Sequence, residues 1–302
     1  MFEKILDILK YPEFKQNGFN LEPYKTTAIK RAGNHIIIKN TILDIENNKI
    51  SLNSFDRIIL VDIWNSETFL FSSKIIITFW WGGLSHNNQA PLFYKHDNLN
   101  SLKLTSEILE QYFKNINTSK TKDEFVTQLK KIYHALKFKN KKIDSHIIKI
   151  SGINTSFFTK LFQFYFYTNP SLVSNRLPPI IADKWSKIAV LADMMNNGYD
   201  YSRVFNIRNN KKELDVSFKH ANTYKEYDVY ILFLDYYNQR VENIKMINSY
   251  CDLDAFTLEE YIFGEGRKMY DTNNPRRIFT DIIINSKKND AIKQSTNKRD
   301  IR

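Results

Sequence analysis

Between Lys149 and Trp185 the chain reads KISGINTSFFTKLFQFYFYTNPSLVSNRLPPIIADKW, and two of its charged residues are placed to do chemistry. Lys160 lies inside an aromatic run predicted to be a helix. Burial there lowers the pKa of an amine, and a free amine attacks electrophilic carbon and can form a Schiff base. Asp183 opens the next predicted helix, Lys184 to Met195. A carboxylate held at that point supplies negative charge where positive charge develops in a reaction. Both residues also fit a purely structural role, with Lys160 snorkelling from its helix and Asp183 capping the one it precedes.

Positioning falls to a turn and two helices. Gly152-Ile153-Asn154 forms a tight turn, since Gly takes backbone angles closed to other residues and Asn tolerates the left-handed region. Thr155 or Ser156 is expected to cap a helix beginning at Phe157. The first N–H groups of that helix have no partner within it, so the turn is a site for an anion such as a phosphate. Lys160 is four residues past Ser156, one turn and about 6 Å along nearly the same face, so its amine reaches the same place. The basic connection KFKNKKID, Lys137 to Asp144, and Lys149 add positive charge beside the turn; a solvated face accounts for the same charges.

These residues resemble the helix-hairpin-helix DNA glycosylases, and most closely the bacterial 8-oxoguanine DNA glycosylase-fold family. The resemblance rests on Phe157-Phe158-Thr159-Lys160 after the turn and on Ile180-Ile181-Ala182-Asp183, with weaker support from Trp80-Trp81-Gly82-Gly83 and from the stretch Tyr224 to Phe263. It departs from the pattern at Asn154, where the hairpin usually has Gly, and at Ser156, where some bifunctional relatives carry their lysine. The resemblance implies a base flipped out of double-stranded DNA and cleavage of its N-glycosidic bond. Asp183 would stabilise the oxocarbenium-like transition state and Lys160 would be the nucleophile of a bifunctional enzyme with lyase activity. Gly152, Asn154, Thr155, Ser156 and Lys149 would grip DNA, and Trp80 or Trp81 would wall the base pocket, although both tryptophans also fit a core. Two alternatives stay open. One is a defence glycosylase acting on modified bases of phage DNA; the other is a DNA-binding module that keeps the hairpin without the chemistry.

Composition agrees with a polyanionic partner without demanding one. Lys and Arg number 44 against 33 Asp and Glu in 302 residues, a net charge of +11, which favours phosphate through counterion release. Much of that excess lies near the C-terminus, and abundant Asn, Ile and Lys also reflect an AT-rich genome. The single Cys251 excludes an internal disulfide and a four-cysteine iron-sulfur cluster. Neither a P-loop nor GxGxxG occurs and the six histidines are scattered, so no cofactor and no metal are expected. No apolar run approaches the ~18 residues of a membrane span. The expectation is a cytoplasmic, nucleoid-associated monomer.

The fold expected is mainly α, a helix-hairpin-helix glycosylase-like core with a small β-containing N-terminal region. Residues 1–73 would form that region, 74–275 the helical domain with its hairpin near 150–160, and 276–302 a basic, disordered tail. Phe2 to Leu9 reads as a short helix, residues 35–52 as a hairpin and Ile58 to Ile63 as a third strand. Lys74 to Gly83 fits a strand or a buried helix equally. Amphipathic helices are expected over Leu102 to Lys114, Lys122 to Phe138, Tyr224 to Ile247 and Thr257 to Phe263, with Arg203 to Asn222 a polar, basic connection.

Overall fold

The computed structural model describes residues 1–3, 6, 57–67, 69–79, 109–116, 119, 121–137, 155–169, 177–210, 213–247, 250–263 and 274–297. The chain divides into two compact units, residues 21–181 and residues 1–20 with 182–302. The helical domain expected over 74–275 therefore draws on both. Among the described residues the protein is mostly helical with a two-stranded antiparallel sheet.

In the first unit, α1 is Arg57–Asn65, α2 is Phe71–Phe79, α3 is Lys122–Lys137 and α4 is Thr155–Tyr167, with a further helical segment at 109–116. Helix α4 buries Phe157, Phe158, Leu161, Phe162, Phe164 and Phe166, and α1, α2 and α3 pack against it. A helix apolar on every side belongs at the centre of its unit. Helix α3 starts with a capping box: Glu124 N–H donates to Thr121 Oγ1 at 3.2 Å and Thr121 N–H to Glu124 Oε2 at 3.4 Å. The strand expected over Ile58 to Ile63 is instead part of α1. Leu60, Ile63 and Trp64 are buried, a three-and-four spacing that fits a helix and not the two-residue period of a strand. Lys74 to Phe79, left open between strand and helix, is helical.

The second unit contains α5 (Lys184–Asn196), a 3-10 turn (Tyr201–Arg203), β1 (Phe205–Asn210), β2 (Glu213–Phe218), α6 (Glu226–Lys245), α7 (Ala255–Phe263) and α8 (Pro275–Asn297). Helix α5 ends as its sequence indicates, on Asn197 and on Gly198 at φ +69°. Helix α6 buries Tyr227, Tyr230, Leu234, Tyr237, Val241 and Ile244 along one stripe. Strands β1 and β2 pair Phe205 with Phe218 and Ile207 with Val216, and Phe218 meets Phe233 of α6 with ring centroids 5.4 Å apart. This hairpin occupies the stretch expected to be a polar connection. The sheet of the described residues thus lies at 205–218; the N-terminal hairpin expected at 35–52 is outside the described residues.

Of the tail expected to be disordered from residue 276, residues 276–297 belong to helix α8, Pro275–Asn297. Asn274 caps it, its Oδ1 accepting from Arg276 N–H at 2.9 Å, and Pro275 takes the first helical position, where its missing N–H costs nothing. Phe279 and Ile283 are fully buried one turn apart, and α8 lies along α5 and α7. Phe279 meets Phe2 edge-on at 6.2 Å. Residues 2, 3 and 6 are helical, as expected of the N-terminus, and Phe2 and Leu6 are buried.

Candidate active site

Asp183 is the N-cap of α5. Its backbone is extended, and Oδ1 accepts hydrogen bonds from Trp185 N–H at 2.8 Å and Ser186 N–H at 2.9 Å. Two otherwise orphaned amides therefore fix the carboxylate at the start of the helix. Asp183 is half-buried, and Oδ2 makes no hydrogen bond among the described residues. Ile180, Ile181 and Ala182 ahead of it are buried, which sets where the carboxylate emerges.

Cations surround this helix start. Lys184 Nζ lies 5.2 Å from the centroid of the Trp185 ring and Arg276 Cζ lies 4.9 Å from it, while Lys187 Nζ sits 5.4 Å from the Phe218 ring. Such contacts hold long basic side chains in place through the ring quadrupole. The result is an anchored carboxylate on a positively charged surface with a half-buried tryptophan, a combination suited to a polyanion with flat bases.

Lys160 lies in the other unit. Its side chain is 7% exposed, and Nζ donates to Ser156 Oγ at 2.8 Å and to Ser156 O at 3.5 Å. The one-turn spacing thus brings Lys160 and Ser156 together. Nζ also lies 5.3 Å from the centroid of the Phe157 ring. Helix α4 begins at Thr155, two residues earlier than expected, so Thr155 and Ser156 are its first residues. The Thr155 hydroxyl pairs with Tyr133 Oη at 3.0 Å and is buried, which turns it inward, away from a capping role. Lys149, Gly152, Asn154, Trp80 and Trp81 lie outside the described residues.

A second set of charges was missed in the sequence. Asp193, on the buried side of α5 and fully inaccessible, accepts on Oδ1 from Phe2 N–H at 3.1 Å and lies 3.1 Å from the Met1 ammonium. Its Oδ2 accepts from Tyr236 Oη at 2.6 Å and Arg240 Nε at 2.8 Å. Glu3 completes the cluster, with Arg240 at 2.6 Å and the Met1 ammonium at 2.9 Å. Burial alone would raise the Glu3 carboxyl, but the ammonium, its own backbone N–H and Arg240 together hold it at about 2. Burial and then the Asp193 charge push the Tyr236 hydroxyl up; burial would lower the Arg240 guanidinium, yet Asp193 and Glu3 outweigh it and raise it. The cluster joins the N-terminal residues to α5 and α6 and pairs both carboxylates with cationic donors, so its work is structural. The available signal was one charged residue within each of two apolar helical stripes.

No protein-family model, no curated protein and no solved structure matches this chain. Among the described residues no group of His, Cys, Asp and Glu side chains could hold a metal ion, and no helix is long and apolar enough to cross a membrane.

Proposed function

We propose that the protein is a DNA glycosylase that acts on a damaged or modified base, with Asp183 as the catalytic carboxylate. One observation carries the reading: Oδ1 of Asp183 is locked by two amides while Oδ2 has no hydrogen bond among the described residues, on a surface flanked by Lys184, Lys187 and Arg276. In such a reaction positive charge builds on the sugar as the base departs, and a fixed carboxylate lowers that barrier without having to reorganise. The cations would hold the phosphates on either side, and the extruded base would rest in a pocket read by stacking and hydrogen bonds.

The state of Lys160 favours hydrolysis over lyase chemistry. An amine already bonded to Ser156 and 7% exposed must leave its partner before it can attack a sugar carbon. Asp183 would then orient a water, and the product would be an abasic site. The same engagement of Lys160 gives a second reading its support, a DNA-binding protein without catalysis.

The test uses duplexes carrying 8-oxoguanine, and in parallel hypermodified phage DNA, which separates a repair role from defence. Released base and alkali-labile sites are measured for the intact protein, Asp183→Asn and Lys160→Gln. Asparagine keeps the capping oxygen, so Asp183→Asn removes charge and leaves the fold. Full excision by Asp183→Asn would sink the catalytic assignment, and a borohydride-trapped adduct that disappears in Lys160→Gln would restore the lyase route. Salt-dependent binding with no base release on either substrate would favour the non-catalytic reading.

A further inference from the structure

Helix α1 ends at Asn65, so the carbonyl of Trp64 belongs to the last turn and has no donor within the helix. Lys74 of α2 supplies one, its Nζ donating to Trp64 O at 2.9 Å. This contact opens onto a cavity of about 410 Å³ within the first unit. The aromatic side chains on it are Trp64, Phe71 and Tyr165, held in place by each other: Trp64 meets Phe71 at 5.7 Å and Tyr165 at 6.3 Å. Around them stand Asn65, Ser66, Thr168 and Asn169, which carry hydrogen-bonding groups, and the charged Glu67, Glu110 and Lys114. Lys114 pairs with Glu110 at 2.9 Å and is 62% exposed, so it lies at the mouth and Lys74 lies deeper.

We propose that this cavity is a small-molecule site in which the Lys74 amine takes a short, neutral hydroxyaldehyde or hydroxyketone as an imine. Three features select that class. Aromatic faces beside amide and hydroxyl groups suit a hydroxylated carbon chain, since C–H edges pack on rings while hydroxyls exchange hydrogen bonds with the polar groups. The volume admits a molecule of a few carbons. Glu67 and Glu110 disfavour a phosphate or carboxylate ligand and so disfavour nucleic acid here. In the step itself the Lys74 amine leaves Trp64 O, its nitrogen lone pair attacks the carbonyl carbon, a proton moves from nitrogen to oxygen to give a carbinolamine, and the hydroxyl, protonated from solvent, leaves as water to give the protonated imine. One C=N bond forms, one C=O bond breaks, and no oxidant or reductant is consumed. Burial lowers the pKa of Lys74 against the opposing charges of Glu110 and Glu67, which enriches the free amine at neutral pH.

The experiment is limited reductive trapping of the full chain with glyceraldehyde or dihydroxyacetone and cyanoborohydride at pH 7, followed by peptide mapping. Lys114, in the same pocket and solvent-exposed, is the internal control. The expected result is labelling of Lys74 roughly fivefold or more above Lys114, because a desolvated amine is less protonated. It should also saturate with carbonyl concentration, whereas Lys114 rises linearly. Lys74→Arg keeps a donor for Trp64 O and should leave stability intact while the excess label vanishes. Labelling of Lys74 no greater than that of Lys114 overturns the proposal. So does an excess that never saturates, since that describes a reactive amine without a binding site.

Discussion

Replacing Asp193 with asparagine keeps the size of the side chain and removes one charge from the interior of the second unit. In the native cluster both carboxylate oxygens face donors: Phe2 N–H and the Met1 ammonium on one, Tyr236 Oη and Arg240 Nε on the other. An amide must turn its NH₂ towards one of those pairs, so donor meets donor whichever way it lies. Taking one partner from a buried ion pair costs about 3–5 kcal/mol. Glu3 still faces Arg240 and the Met1 ammonium, which places Asp193→Asn at the lower end, about 3 kcal/mol. Against a typical stability of about 5–15 kcal/mol that is a large share. Urea denaturation measures the loss, and hydrogen exchange locates it in α5 and α6. The double variant Asp193→Asn with Arg240→Met should cost less than the sum of the two singles, because it removes the stranded cation along with its partner. A loss under about 1 kcal/mol for Asp193→Asn, or strict additivity in the double variant, would refute the view that this buried charge holds the unit together.

Three further outcomes follow from the same geometry. Glu3 titrates at about 2 in the folded chain against an ordinary 4.5, so its stabilisation is complete above pH 4.5 and is lost as pH falls towards 2; with its side chain 30% exposed, screening reduces the contribution to about 1–2 kcal/mol. Urea midpoints should fall across that window, and Glu3→Gln should flatten the fall. Asp183→Ala should lower stability by about 1 kcal/mol through loss of the cap, whereas Asp183→Asn should change it by only a few tenths; equal losses would show that the cap bonds carry no stability. Phe279→Ala should cost about 3 kcal/mol or more, since the ring is fully buried and leaves a cavity; denaturation curves matching those of the parent chain would return α8 to the disordered tail its composition suggests.

Legibility followed the length of each apolar pattern and the presence of caps. Helix α3 was legible from its amphipathic spacing, and the structure adds the Thr121–Glu124 capping box; α5 was legible through Asp183 at one end and Asn197-Gly198 at the other. Elsewhere composition masks the spacing. Ile58 and Ile59 suggested a strand, yet Leu60, Ile63 and Trp64 bury on a helical spacing. Alternation was missed in FNIRNNKKELDVSF because Asn and Lys dominate it, although Phe205, Leu214, Val216 and Phe218 are the buried positions. Basic residues after Arg276 hid Phe279 and Ile283 one turn apart in the same way. At the candidate site, Asp183 as a cap and the meeting of Lys160 with Ser156 were both legible, being consequences of local helix geometry. The long-range pairing of Glu3 with Arg240 was not, because no local rule brings residues so distant in sequence together.

The two aspartates of α5 give that helix a division of labour. Asp193 faces the interior and meets Tyr236 and Arg240 of α6; Asp183, at the start of the same helix, has one oxygen pinned by its own first turn and the other without a hydrogen bond among the described residues. A carboxylate serves as an electrostatic catalyst only if its position does not relax as charge develops. The buried cluster limits how far α5 can shift, and the two amide bonds limit how far the Asp183 side chain can rotate. On the proposed glycosylase reading, loosening the cluster should therefore reach the carboxylate through the helix: in protein still folded, Arg240→Met should slow base release while DNA affinity, which that reading assigns to the surface cations, stays the same. Equal rates for Arg240→Met and the parent chain, with excision established and dependent on Asp183, would separate the two aspartates and confine the cluster to stability alone.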